Sequence, residues 1–486
     1  MLLCCAGAPF LIMLDSNIVA VSLPSIARDL RGEFTDVEWV VSAYVLPFAA
    51  LLIPAGALAD RLGRRRMLLV GLSVFTLASL LCGLAPSLSV LNGARALQAV
   101  GAALQLSASL AVIAHGFQPG ERAHVYAIWG TVMGLAPSLG PIVGGMVTSY
   151  LGWRWAFLIN LPLGAVLLSL VFTSVDESFD PNADRLDLPG IFLFGWGLFG
   201  VVWALIDANS VGWGNLTTIV KFAIGAALLT AFVFVERTHP RPMIDLMLFR
   251  DRMAVGAAVS MLGYAAAAQV MMTLLPLYLQ DAFGLSPARA GLAMIPFALP
   301  LLIGPTVGGR LAAHMSSRAI LSLGLGMVAL GDAGLSATML TSSSYWAVAV
   351  GMMITGSGAG LLNSETTKAQ ISAVPPERAG MAAGIAGATR FVGIIVGLAG
   401  FGAILAASAE TALIRSDTAL FRNNLNVDWH SASLRIVGGD PQGGLSILPA
   451  AVRAAVQGTV RHSVAQGFAA ALIAGAAVAV VSAALG

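Results

Sequence analysis

Long apolar runs, broken at short intervals by clusters of charged, glycine and proline residues, dominate this chain. A membrane span needs about 20 predominantly apolar residues. Runs near that length occupy 8–27, 39–58, 67–86, 89–113, 124–148, 155–174, 188–206, 216–235, 254–279, 289–309, 319–338, 346–368, 380–406 and 462–484. They predict an all-α membrane protein with about fourteen transmembrane helices. An even count places both termini on one side.

The pattern also repeats. Leu23-Pro24 recurs as Leu275-Pro276, Gly56-x-Leu58-Ala59 as Gly309-x-Leu311-Ala312, Gly101-Ala102-x-Leu104 as Gly358-Ala359-x-Leu361, and Glu121-Arg122-Ala123 as Glu377-Arg378-Ala379. The offset stays within 252–257 throughout. Two related halves in one membrane chain are the construction of a transporter that rocks about a central site. The repeat predicts a six-helix half over 1–175, two linker helices over 176–250, and a second six-helix half over 251–486 with a long loop at about 407–461.

Composition agrees. Of 486 residues, 58% are hydrophobic and only 10% charged, against about 25% charged in a soluble domain; mean hydropathy is +0.86. Too few charges remain to cover a water-facing surface, so the apolar surplus faces the lipid bilayer. A net charge of +2 gives no case for a nucleic-acid partner. Cys4, Cys5 and Cys82 lie in apolar runs without metal or disulfide spacing. The first run contains Asp15 and lacks a basic leader, so it reads as a span rather than a cleaved signal.

Arginines set the orientation. Arg61, Arg64, Arg65, Arg66, Arg122, Arg185, Arg237, Arg241, Arg250, Arg252, Arg310, Arg318 and Arg378 fall on one side, while the short loops opposite hold Arg28, Arg31, Arg154 and Arg289. The positive-inside rule puts the first side, and both termini, in the cytoplasm of a cell that carries the protein in its plasma (inner) membrane. Asp207 and Asp281 fall at opposite-side span ends and read as solvated.

The loop after the second span reads Gly56-Ala-Leu-Ala-Asp60-Arg61-Leu-Gly63-Arg64-Arg65-Arg66. It resembles the GxLaDrxGrrr signature of the major facilitator superfamily. The resemblance implies that superfamily's fold and a gating role for Gly56, Asp60, Arg61, Gly63 and Arg64, with Asp60 placed to meet Arg64 or a helix N-terminus of the other half. The second-half copy has Ala313 in place of the acid. Leu91-x-x-x-Arg95-x-x-Gln98-x-x-Gly101 is similar to the family's intramembrane arginine motif, with Ala99 standing for its glycine. Leu14-Asp15-Ser16-Asn17-Ile18-Val19-Ala20-Val21-Ser22-Leu23-Pro24 resembles the first-span motif of the fourteen-span drug:proton antiporters, with substitutions at Asn17, Ala20 and Ser22. Gly134-x-Ala136-Pro137-x-x-Gly140-Pro141-x-x-Gly144-Gly145 resembles the antiporter motif. Gly152–Gly164, Leu186–Gly190 and Ala379–Gly393 extend the likeness over nearly the whole chain.

Chemistry narrows the role. Asp15 and Arg95 both fall about 10–13 Å below the outer end of their spans. An ionisable group at that depth is expensive unless partnered, and an acid that is neutral alone but charged beside an arginine is a proton switch; a permanent structural ion pair is the alternative. Asp332, Glu365 and Arg390 are further charged groups inside spans. With Asn17 and Gln98 they are expected to line the substrate site, though Glu365 and Lys368, three apart on one helix, can simply pair, and Arg390 can serve helix packing. Trp39, Tyr44, Phe48, Trp129, Met133, Met271, Met272 and Phe297 supply apolar candidates for the same pocket. Neither a Walker loop nor a catalytic cluster occurs, so ATP is not expected as the energy source and no cofactor or metal is expected; the resemblance to the drug:proton antiporters implies the proton gradient instead. The reading is a proton-coupled exporter of small lipophilic, cationic compounds. An uptake carrier or dedicated metabolite exporter of the same family is the alternative within transport. A sensor or scaffold would be expected to lose Asp15, Arg95 or Asp60, and all three stand.

Overall fold

The computed structural model describes residues 1–116, 119–179, 187–238, 251–341, 344–372, 379–416, 428–448, 453 and 459–486. The described residues are almost wholly helical, because in lipid every backbone N–H and C=O needs a partner within its own segment. The first half comprises α1 (Leu2–Leu30), α2 (Phe34–Leu62), α3 (Arg64–Gly83), α4 (Leu88–Gly116), α5 (Pro119–Tyr150), α6 (Trp155–Leu158) and α7 (Asn160–Ser174). Two helices follow, α8 (Leu188–Val211) and α9 (Leu216–Thr238). The second half holds α10 (Arg252–Tyr264), a π-helical turn (Ala265–Gln269), α11 (Met271–Asp281), α12 (Pro287–Ala293), α13 (Ile295–Leu311), α14 (Ser317–Thr341), α15 (Tyr345–Ser372), α16 (Ala379–Ser416), α17 (Trp429–Val437), α18 (Pro441–Ile447) and α19 (Val460–Leu485).

Among the described residues, twelve helices are long and apolar enough to cross a membrane. The pair α12–α13, bent by 44°, adds a thirteenth if taken as one span. The remaining expected span is α5, 32 residues long. The bends have local causes: Met294 separates α12 from α13 just before Pro296, and the π-turn interrupts the span formed by α10 and α11.

Each half repeats one packing pattern. α2 packs on α4 and α3 on α4, as α13 packs on α15 and α14 on α15. The repeated glycines mark the same crossing in both: a Cβ on Gly101 would lie 2.7 Å from the Gly71 carbonyl oxygen, and one on Gly358 2.5 Å from that of Gly324. Without a hydrophobic drive between helices in lipid, such close backbone approach is what holds them. The pair α8–α9 lies against both α2 and α16. There Trp39 faces Phe199, ring centroids 6.0 Å apart, which removes it from the candidate pocket residues. Trp129 and Met133 fall on α5, but their side chains lie outside what is described.

Three expectations need correction. The segment 407–461 is not simply a loop. α16 continues to Ser416, and α17 and α18 follow, capped by Asp428 accepting from Ser431 N and Asp440 from Gly443 N, both at 3.0 Å. The Ser431 bond also holds the Asp428 carboxyl below its usual range. α17 buries Leu434, Ile436 and Val437; helices this short fall below any span threshold. Asp207 is not free in solvent but pairs with Lys221 across the α8–α9 hairpin. Asp281 is half-buried, and its Oδ2 has no partner among the described residues.

Gly63 joins α2 to α3 with φ +111°, a conformation that costs a side-chain-bearing residue about 1–3 kcal/mol. A Cβ there would also lie 2.7 Å from Glu177 Oε1. Gly63→Ala is therefore expected to lower the melting temperature of the purified protein in detergent, and an unchanged melting curve would contradict this account of the turn.

Candidate functional site

Asp15 and Arg95 are 0% and 1% exposed, and they meet inside the first half. Arg95 Nη1 donates to Asp15 Oδ2 at 2.6 Å. The other carboxylate oxygen, Oδ1, accepts from Asn160 Nδ2 at 2.6 Å and Gln98 Nε2 at 3.0 Å. Gln98 ties the group together. Its Oε1 accepts from Arg95 Nη1 at 2.7 Å, and its Nε2 also donates to Ser79 Oγ at 2.8 Å. Arg95 Nε donates to the Val40 carbonyl at 3.2 Å, and its guanidinium carbon lies 4.0 Å from the Tyr44 ring centroid. Thus α1, α2, α3, α4 and α7 converge on one carboxylate. Burial makes each bond stronger and its loss costlier.

Gln98, expected against substrate, is instead a bridge within this network. Asn17, two residues from Asp15, is half-buried and turns its Nδ2 onto the Met13 carbonyl of its own helix at 2.7 Å. Sequence reasoning missed Asn160, Ser79 and the placement of Tyr44. Asn160 had a usable signal, a lone amide in the apolar run Phe157-Leu-Ile-Asn160-Leu-Pro; Ser79 had none.

The glycines of α5 bring its backbone against both halves. A Cβ on Gly140 would lie 2.3 Å from Asn17 Cβ, and one on Gly144 2.7 Å from Ile18 Cα, both on α1. One on Gly145 would lie 2.3 Å from the carbonyl oxygen of Pro287 on α12. Reciprocally, one on Gly291 would lie 2.1 Å from the Pro141 carbonyl oxygen. Pro137 lies within the helix one turn before Pro141. More bonds cross between the halves on this face, away from the Arg61–Arg66 turn. Ala288 N donates to Ser149 Oγ at 2.9 Å, Gln280 Nε2 to the Val21 carbonyl at 2.9 Å, and Arg28 Nη1 to the Gly439 carbonyl at 2.9 Å. The halves are thus shut together on the face opposite the basic turn.

At the basic turn Arg64, 3% exposed, donates from Nε and Nη2 to Asp60 Oδ1 at 2.8 and 2.6 Å; Asp60 itself is 42% exposed. Arg61 is exposed. Gly56 lies inside α2 rather than in the turn, so only Gly63 answers to the turn's geometry. Three arginines at the N-terminus of α3 oppose its dipole. Glu177 offsets them, accepting from Arg65 N and Arg66 N at 3.1 Å each. Glu177, just past the end of α7, therefore caps the start of α3.

The second-half candidates do not converge. Asp332 is enclosed within that half, accepting from Thr355 Oγ1 at 3.0 Å. Glu365 accepts from Ser317 Oγ at 2.6 Å and pairs with Lys368 at 3.2 Å, tying α15 to the start of α14. Arg390 Nη2 donates to the Asn363 carbonyl and Oδ1 at 3.0 and 2.9 Å and lies near the Tyr264 ring. These contacts place all three in helix–helix packing rather than together at one site. Of the aromatic candidates, Phe48 meets Phe391 edge-on across the halves at 4.4 Å. Met271, Met272 and Phe297 belong to the second-half core.

A family model described as the Major Facilitator Superfamily matches residues 5–398. The chain is 38% identical over 399 residues to multidrug resistance protein Stp of Mycobacterium tuberculosis (strain CDC 1551 / Oshkosh), covering 82% of this chain and 74% of that one. It is 34% identical to the methylenomycin A resistance protein of Streptomyces coelicolor, covering 82% and 83%. Among solved structures, a bacterial homologue of the human lysosomal transporter Spinster, inward-facing and unoccupied, superposes with a TM-score of 0.64 at 16% identity, covering 100% of this chain and 96% of that one. That likeness shows the fold.

Proposed function

Because this chain belongs to the major facilitator superfamily, it is a multi-span membrane transporter of small molecules, and we propose that it exports lipophilic cations in exchange for protons. The observation that carries the coupling is the buried carboxylate of Asp15, held by Arg95, Gln98 and Asn160. The proposal places the basic turn and both termini in the cytoplasm of a cell whose plasma membrane holds the protein. The face shut by α5 and α12 is then external.

In the cycle, the outward state lets Asp15 take a proton. A neutral acid loses its attraction for Arg95 and for a cationic substrate, so substrate leaves outside. The protonated protein closes externally; on the inside Asp15 releases its proton, Arg95 re-engages, and substrate binds. The ion-paired, externally shut arrangement corresponds to the stage after proton release. The proton drives the cycle only through its different affinity for the two states. The alternative of an exporter dedicated to one compound is favoured by the relative named for methylenomycin A alone.

The test is transport in proteoliposomes. An imposed proton gradient should drive several fluorescent lipophilic cations, and a protonophore should stop them. Movement of none would contradict the multidrug reading and favour the dedicated exporter.

A further inference from the structure

We propose that Asp332 is a second proton-binding carboxyl, loaded from the external face through an open groove between α14, α16 and α19. Asp332 is 0% exposed, and the face of it that matters has no partner. Oδ1 accepts from Thr355 Oγ1 at 3.0 Å, whereas Oδ2 has no hydrogen-bond partner among the described residues. Oδ2 faces Gly475 of α19, where a Cβ would lie 3.2 Å from it and also near Phe401 of α16 and Met271 of α11. None of these neighbours is titratable. A carboxylate so enclosed, without a cation, is costly, and protonation removes the charge.

The same helix leads from Asp332 toward a groove on the external side. Ser336 lies one helical turn beyond Asp332, about 6 Å along α14 toward the external face. Its hydroxyl donates to the Ala469 carbonyl at 2.9 Å. Ser336 lines this groove, of about 530 Å³, whose other polar groups are Ser408, Thr411, Arg415 and Gln466 and whose remaining lining, Ala470 included, is apolar. Gln466 Nε2 lies 2.8 Å from Nε2 of His462, which is exposed. His462 and Arg415 are the charged or titratable groups of this path, and both stand at its outer end. Hydroxyl and amide groups line this path as far as Ser336, one helical turn short of Asp332, and the proposal carries the proton across that turn to Oδ2. This site lies inside the second half and does not depend on the role given to Asp15.

Infrared difference spectra of the purified full chain, wild type against Asp332→Asn, test the site at neutral pH. The expected wild-type spectrum contains the C=O stretch of a protonated carboxyl, absent from the variant and retained in Asp15→Asn. Thr355→Val, which removes the donor to Oδ1, should shift the same band upward. This second variant serves if Asp332→Asn does not fold. Ala470→Phe, which fills the groove, should slow the band's exchange in D2O several-fold. Identical wild-type and Asp332→Asn spectra, or a band unmoved by Thr355→Val, would overturn the site. Exchange unaffected by Ala470→Phe would overturn the route. Failure of Asp15→Asn to alter transport would touch neither result.

Discussion

Asp15→Asn is expected to reduce gradient-driven export to the level of empty liposomes. Asparagine keeps the size of the side chain and can still accept from the Asn160 and Gln98 amides, which hold Oδ1 at 2.6 and 3.0 Å. It cannot take or release a proton. It also leaves Arg95 buried opposite a neutral group, and removing one partner of a buried ion pair costs about 3–5 kcal/mol. Residual binding without coupling separates this loss from simple misfolding. The variant should bind a cationic dye in detergent weakly, as the protonated wild type does, and the strengthening of binding with rising pH seen in the wild type should vanish. Export by Asp15→Asn at the wild-type rate would remove the coupling proton from this residue.

Gly145→Leu should cripple transport by a different route. Its Cβ would lie 2.3 Å from the Pro287 carbonyl oxygen, in the seam between the halves. Overpacking typically costs about 1–3 kcal/mol, and here that cost falls only on the externally closed state. A bias of that size shifts the equilibrium about 5- to 150-fold toward the open state, with turnover falling to match. The readout is cross-linking between cysteines placed at Ser149 and Ala288, whose hydroxyl and backbone N–H lie 2.9 Å apart. Cross-linking should be efficient in the otherwise wild-type chain and weak with Gly145→Leu. Gly144→Leu makes a useful contrast, because its Cβ would meet Ile18 of the same half at 2.7 Å. It should lower thermal stability rather than external closure. Equal cross-linking in both would contradict the gate assigned to α5.

Much of this was legible in the sequence, for physical reasons. Spans were readable because lipid requires apolar runs of set length, and the halves because Gly101 and Gly358 serve the same helix crossing. Equal depth brought Asp15 and Arg95 together. The failures share one cause. In a helix that is apolar all round, periodicity does not tell lipid from protein interior, so the depth of Asp332, Glu365 and Arg390 said nothing of which helix each would face. The same blindness sent Trp39 to a pocket when it packs on Phe199. Asn160 escaped because its partner lies 145 residues away in the chain, on a helix whose rotation no local pattern fixes.

The most direct measurement of proton exchange reverses the cycle. In proteoliposomes without an imposed pH gradient, a cationic substrate gradient is applied and internal pH is followed. The account predicts proton movement opposite to the substrate, absent from Asp15→Asn. Substrate movement by the wild type with no change in internal pH would contradict it.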